Sequence, residues 1–469
     1  MSSTSYLVPS PSPSSTTPMS LLICCTPVHG HVLPLVAVAR ALTAAGHDVR
    51  FLTGARYRAL VEQTGARWIP LPAEADYDDR DMDTAFPGRV GRRGVDGARW
   101  DLRNIFLEPA PAQLRAVDEQ LRVRPVDAVL AESMFLGAML LLCRPAAARP
   151  PVINLGIVPL GLRSRDTAPF ALGIPPLPGP LGRLRNAALN AVTDRLVFAE
   201  LQRDAERMAL AETGAALTAP AMNYPALADA VVQFTVPSFE YPRSDLPVPV
   251  HFVGPVSVSS VSVGSVSVGP VSVGSVPSEG ASDAAPAREP GALPDWWDDL
   301  DGRRVVHVTQ GTVANADLGE LVLPTLSALA EEDLLVVVST GGRPVPQGAL
   351  PPNARIAEYL PYDLLFPRLG AFVTNGGYGG VHHSLARGVP IVAAGSTEDK
   401  AEVSARVAWS GAGLRVRRVS PESIRDAVRR VLHEPSFREN AARIGAEISA
   451  APGPSGIEPV LRGLVARAG

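Results

Sequence analysis

The segment Ala371-Phe372-Val373-Thr374-Asn375-Gly376-Gly377-Tyr378-Gly379-Gly380-Val381 joins a short apolar run to a helix-like one through four glycines. Residues 371–374 predict a buried strand, 381–387 a helix and 391–394 a second strand. That order is a strand–helix–strand unit, the building block of a parallel sheet. Glycines let a backbone come close to a ligand, and the helix after them aims free N–H groups and its positive dipole end into the same space. Such a place suits phosphate. The spacing is neither that of a dinucleotide fingerprint nor that of a Walker A loop. A tight turn needing positive φ would use the same glycines, and the loop alone does not separate the two readings.

The same rhythm recurs on both sides. Downstream of residue 303, strands are expected at 305–309 and 334–339, and helices at 318–330, 401–410 and 421–433. Upstream, residues 20–25 predict a strand, 32–45 a helix ended by Gly46, and 48–52 the next strand. Strands at 126–130 and 152–155 and helices at 135–143 and 182–214 continue the pattern. Between the halves, residues 256–291 hold near-repeats of Val-Ser-Val-Gly, then Ala, Pro, Ser and acidic residues, which reads as a linker. The expected class is therefore α/β, with two Rossmann-like domains facing each other across a cleft. The expected division is a tail at 1–18, an N-terminal domain at 19–255, a linker at 256–302 and a C-terminal domain at 303–469.

A chain of 469 residues is too long for one ordinary core, and its 46% hydrophobic content is enough for two. A net charge of -4 gives no reason to expect nucleic acid or an anionic membrane surface as partner. The three cysteines are Cys24, Cys25 and Cys143. Adjacent cysteines in an apolar run read as buried free thiols, which suits a reducing, cytoplasmic setting. No metal-type Cys/His spacing occurs. The longest apolar stretch, near 134–143, is well short of the roughly 20 residues of a membrane span. The Ser- and Pro-rich start has no basic patch before an apolar core, so it does not read as a signal peptide. Met19 stands directly before the first strand, and residues 1–18 read as a dispensable tail.

Several side chains fall where α/β sheets bind ligands, at the ends of strands. Of His29 and His31, His31 is the stronger candidate for chemistry, since it opens the first helix beside Gly30. A neutral histidine there can take the proton of an attacking hydroxyl. Thr312, after the strand and turn at Gln310-Gly311, can offer a hydroxyl to phosphate. Thr397-Glu398-Asp399-Lys400 follows the strand at 391–394, and its carboxylates can accept bonds from sugar hydroxyls, or simply cap a helix. Lys400 is the only lysine among 43 basic residues. Asp76-Tyr77-Asp78 and Asp81-Met82-Asp83 have a D-x-D form, but no strand precedes them, and a solvated loop is the expected account. No cofactor and no metal are expected.

Taken together, Gly30-His31-x-x-Pro34 and the run from Tyr359 to Gly413 resemble the inverting GT-B glycosyltransferases, a group that includes bacterial macrolide and antibiotic enzymes and plant flavonoid enzymes. The resemblance spans about 20–255 and 303–450. It implies that a sugar passes from a UDP- or dTDP-sugar to a hydroxyl of a small hydrophobic acceptor, with no metal required. In the family an aromatic in a W-x-P-Q pattern stacks on the donor base; Tyr359-Leu360-Pro361-Tyr362 stands there. Asn375 stands where the family usually has a phosphate-touching His. Gly376, Gly377 and Gly379 follow, and Gly380 matches a frequent Ser. The ribose-binding Glu falls at His383, and the sugar-binding acidic residue and Gln at Asp399 and Lys400. The catalytic His matches His31 and its supporting Asp matches Glu132, one methylene longer. A carboxylate behind the histidine would fix its tautomer and stabilise the imidazolium. The loops at 75–104 and 155–180 would line the acceptor pocket. Two other functions compete: a catalytically degenerate donor-binding or helper protein, suggested by Asn375 and His383, and a dinucleotide-dependent oxidoreductase, which lacks its GxGxxG.

Overall fold

The computed structural model describes residues 17–256, 293–311, 317–343, 350–395 and 399–468. Thirteen strands among these residues form two sheets, and every strand pairing is parallel. The first sheet contains β1 (Ser20–Cys24), β2 (Asp48–Thr53), β3 (Arg67–Pro70), β4 (Ala128–Glu132), β5 (Val152–Gly156), β6 (Ala230–Gln233) and β7 (Val250–Phe252), in the order β3-β2-β1-β4-β5-β6-β7. The second contains β8 (Val305–Thr309), β9 (Leu335–Ser339), β10 (Ala354–Ala357), β11 (Leu369–Thr374), β12 (Ile391–Ala393) and β13 (Gly413–Arg415), in the order β10-β9-β8-β11-β12-β13. The α/β class with two Rossmann-like sheets is thus observed.

Helices cover both faces of each sheet, so the strands are apolar on both sides. In β1, Leu21 and Ile23 enter one core while Leu22 and Cys24 enter the other. In β9, Leu335 and Val337 face one layer while Val336 and Val338 face the opposite one. The period of two follows from the pleat. In each sheet the strand order reverses once, between β1 and β4 and between β8 and β11. Loops diverge at such a reversal, and the crevice they leave is where open α/β sheets bind ligands.

Two features differ from the expected boundaries. The last helix, Ile457–Ala468, buries Ile457, Val460, Leu461 and Leu464 in the core of the first sheet. Its apolar face completes a layer on the N-terminal half, although it belongs to the expected C-terminal domain. In the other direction, Val236 and Phe239, which follow β6, are buried in the core of the second sheet. Each half lends a segment to the other. Helices also shift at their ends: the one expected at 381–387 runs Tyr378–Ala386, with Gly377 as N-cap. Most of the expected linker, residues 257–292, and residues 1–16 of the expected tail lie outside the described residues.

Candidate active site

The first helix, His29–Ala44, follows β1 after a four-residue loop, so His31 stands in its first turn at the sheet's reversal point. Glu132 closes β4, the strand on the other side of that reversal. The His31 Nδ1 lies 3.3 Å from Glu132 Oε2. Two backbone groups also point at the carboxylate: Thr26 N–H donates to Oε1 at 3.3 Å and Met134 N–H to Oε2 at 2.6 Å. Glu132 is fully buried. Burial pushes its carboxyl up, but His31 and the converging hydrogen bonds outweigh this and leave it below the ordinary carboxylate value. An ionised Glu132 against Nδ1 favours the tautomer with a proton there, which leaves Nε2 as the basic nitrogen. The Phe106 ring stacks on His31, with centroids 6.2 Å apart and planes 15° apart. Gly30, beside His31, is exposed, and a Cβ there would meet nothing within 4 Å.

The second constellation gathers at the reversal of the other sheet. Asn375 follows β11 and Gln310 follows β8, and the Asn375 amide donates to the Gln310 carbonyl at 2.6 Å. One amide proton expected for phosphate therefore ties the two loops together. The Gln310 side chain in turn accepts from Leu321 N–H and Val322 N–H, at 3.2 and 3.1 Å, and so fixes the start of the helix Val322–Leu329. Gly376 has φ +91, a backbone state that glycine alone adopts at low cost. Gly377 precedes the helix, while Gly379 and Gly380 lie in its first turn, and a Cβ at Gly377 or Gly379 would meet nothing within 4 Å. The helix start is therefore bare backbone, suited to an anion.

Asp399 and Lys400 begin the helix Lys400–Trp409. A Cβ on Gly376 would sit 3.2 Å from the Lys400 carbonyl, so this helix adjoins the glycine loop. Lys400 is 7% exposed, which sets its ammonium deeper than a group reaching freely for a sugar. Tyr359 is 66% exposed and stands against Gly342 after β9, leaving a ring face available for stacking. Leu360 packs on the core below. Tyr362, where the family pattern has Gln, is turned inward: its hydroxyl is 3.4 Å from His307 Nε2 and 3.3 Å from Ser339 Oγ. His383 Nε2 lies 3.3 Å from Asp363 Oδ1, an acidic neighbour that no sequence signal announced. Thr312 and Glu398 lie outside the described residues.

The two constellations meet through β6. Glu132 pairs in register with Leu155, and Gly156 with Gln233, so Gln233 lies about two strand spacings, roughly 10 Å, across the sheet from Glu132. Gln233 Nε2 is 3.4 Å from the Tyr378 hydroxyl in the glycine-loop helix. Thr235 Oγ1 and His382 Nε2 are 2.7 Å apart. The helix start that suits an anion thus faces the same end of the first sheet that carries His31 and Glu132. Among the described residues, no group of three or more His, Cys, Asp or Glu could hold a metal ion.

Residues 322–464 match the family described as erythromycin biosynthesis protein CIII-like, C-terminal domain. The chain is 42% identical over 437 residues to a 4'-demethylrebeccamycin synthase of Lentzea aerocolonigenes, covering 92% of this chain and 96% of that protein. It is 32% identical to UDP-glycosyltransferase 2 of Phaeomoniella chlamydospora, covering 93% of each. Among solved structures, a calicheamicin glycosyltransferase superposes with a TM-score of 0.65 at 22% identity, over 96% of this chain and 99% of that one. The fold, the two strand-end constellations and these relatives agree: the chain is a nucleotide-sugar glycosyltransferase and belongs to the GT-B macrolide and antibiotic glycosyltransferase family.

Proposed function

We propose that the enzyme transfers a sugar from a UDP- or dTDP-sugar to a hydroxyl of a small hydrophobic natural product, with inversion at the anomeric carbon. The supporting observation is the His31–Glu132 pair, 3.3 Å apart, at one end of the first sheet, with the glycine-loop helix start meeting the same end through Gln233 and Tyr378. His31 Nε2 takes the proton of the acceptor hydroxyl as it attacks. Glu132 holds the ring and stabilises the imidazolium. The backbone N–H groups at 376–380 receive the growing charge of the leaving diphosphate. Tyr359 offers a face to the base, and Asp399 and Lys400, which adjoin the glycine loop, are assigned to the sugar. One displacement on one face inverts the centre. No metal enters this scheme, because the helix start supplies the positive end. No helix among the described residues is long and apolar enough to cross a membrane, and the free thiols suit a cytoplasmic setting.

The test is a panel of UDP- and dTDP-sugars against mixed hydroxylated aglycones, followed by mass, in EDTA. Relatives named as UDP-glycosyltransferases put UDP-sugars first. His31→Ala should lose about 10²–10⁴ in transfer rate while binding the nucleoside diphosphate as before. A folded His31→Ala protein with most of its activity would refute the base assignment. Activity that vanishes in EDTA and returns with Mg²⁺ or Mn²⁺ would refute the metal-free scheme.

A further inference from the structure

The acidic segment near residue 77 does not stand loose in solvent. Ala75 is buried in the core beneath it. The Asp76 carboxylate accepts from Ala55 N–H at 3.0 Å. Asp79 accepts from His29 N–H and from the Tyr57 hydroxyl, both at 2.6 Å, and pairs with Arg56. These bonds pin the segment across the end of β2 and the start of the helix that carries His31.

Tyr77 lies between the two anchors. Its hydroxyl is buried and has no hydrogen-bond partner among the described residues. A buried hydroxyl left unpaired is costly, and a phenylalanine would fill the same space without that cost. The ring itself is held. It meets Phe86 edge-on with centroids 4.9 Å apart, and Phe86 meets Trp100 at 6.3 Å. Asn104 bonds back to the Trp100 carbonyl at 2.8 Å, and Phe106, two residues on, stacks on His31. Tyr77, Phe86 and Trp100 thus form one run of ring contacts, and Phe106, on the segment that follows Trp100, makes a separate contact with the proposed base. Burial, and after it the negative charge of Glu132, hold the Tyr77 phenol well above its usual range, so the O–H keeps its proton and can both donate and accept.

We infer that the Tyr77 hydroxyl is an acceptor-binding group, which completes its hydrogen bonding with a polar substituent on a flat aromatic acceptor lying along Phe86, Trp100 and Phe106. The inference rests on the reading that the acceptor occupies the His31 side of the cleft. It adds the class of acceptor, planar and aromatic with a hydrogen-bonding edge away from the reacting hydroxyl. An acceptor bond accounts for a hydroxyl that bonds nothing among the described residues.

The test compares two soluble planar probes, 2-naphthol and 2,6-dihydroxynaphthalene, which differ by one hydroxyl. Dissociation constants come from quenching of tryptophan fluorescence, for the parent, Tyr77→Phe and His31→Ala. The parent should bind the dihydroxy probe about tenfold more tightly, and Tyr77→Phe should abolish that difference while leaving 2-naphthol unchanged. Tyr77→Phe should melt no lower than the parent. His31→Ala should keep the tenfold difference, so a failed base assignment leaves the Tyr77 result readable. Equal effects of Tyr77→Phe on both probes, no effect on either, a fall in melting temperature, or no binding of either probe to the parent would each overturn the inference.

Discussion

Glu132 keeps its charge inside a sheet because Thr26 N–H, Met134 N–H and His31 converge on it, and its chemistry follows from that charge. Two other buried groups keep no charge at all. His307 donates from Nδ1 to the Val337 carbonyl, and His382 from Nδ1 to the Tyr378 carbonyl, at 2.9 and 2.8 Å. Burial lowers both to about 4. A histidine whose folded value lies below its unfolded value of about 6.5 gives stability that is complete above pH 6.5 and is lost as pH falls toward 4, because only the unfolded chain takes the proton there. Each site should then contribute about 3 kcal/mol of that loss. Lowered carboxylates such as Glu132 and Glu240 act only further down, below about pH 4.5, so the windows separate. Denaturant midpoints between pH 7 and 4.5 should fall steeply for the parent and less steeply for His382→Gln, which cannot titrate. Equal slopes would show that His382 is protonated in the folded state. At this scale the sequence singles out His31 by its place after the first strand and Glu132 only through the family resemblance, and the fold brings the two side chains to 3.3 Å. Phe106, Asp363 and Tyr77 were not, because each acts on a partner brought near only by the fold.

The glycine loop shows how an element is specified by what it lacks. Gly376 sits at φ +91, and a Cβ there would approach Ser404 Oγ to 2.9 Å and the Lys400 carbonyl to 3.2 Å. Gly376→Ala therefore meets both a strained backbone and the neighbouring helix, which should cost about 1–3 kcal/mol. Because the loop and the start of the helix Lys400–Trp409 move apart together, nucleoside-diphosphate affinity should fall with stability. Calorimetric titration of UDP and a denaturant melt on the same variant check this; an unchanged affinity would show that the loop does not form the phosphate site. Elements rich in Val, such as β8 and β9, were legible. β3, with Arg67, Trp68 and Pro70, and β10, with Arg355, were not expected from sequence. Both are short, partly exposed edge strands with one arginine each, and their pairing partners decide them. The acidic segment at 76–83 was expected to be solvated, yet Asp76 and Asp79 are bound to backbone N–H groups, a distinction that composition does not carry.

At the scale of the molecule, the halves are joined by a buried ionic network that neither half's sequence pattern announces. Glu240 follows β6, and Arg406 lies on the helix Lys400–Trp409. Their side chains are each 1% exposed, with Arg406 Nη2 at 2.6 Å from Glu240 Oε1. Arg406 also reaches Glu402 at 2.7 Å and lies over the Tyr241 ring at 4.1 Å. Glu402 accepts from Gly173 N–H at 2.7 Å, while Arg415 donates to the Gly173 carbonyl at 2.5 Å. The Pro- and Gly-rich loop expected to line the acceptor pocket is thus also fastened to the helix that begins at Asp399 and Lys400. Burial raises the Glu240 carboxyl, but Arg406 and Arg243 more than offset it, so the carboxylate is ionised and depends on its partners. Among the described residues, removing Arg406 leaves that charge with Arg243, 3.5 Å away, as its cationic neighbour beside the N–H groups of Leu160 and Tyr241, and leaves Glu402 short of its partner as well. Arg406→Met should therefore cost about 3–5 kcal/mol. Adding Glu240→Gln removes the stranded charge, so the double variant should recover part of the loss, a coupling of about 0.5–3 kcal/mol. Denaturant melts of the two single variants and the double variant measure this directly. Additive losses would mean that Glu240 and Arg406 do not sense each other.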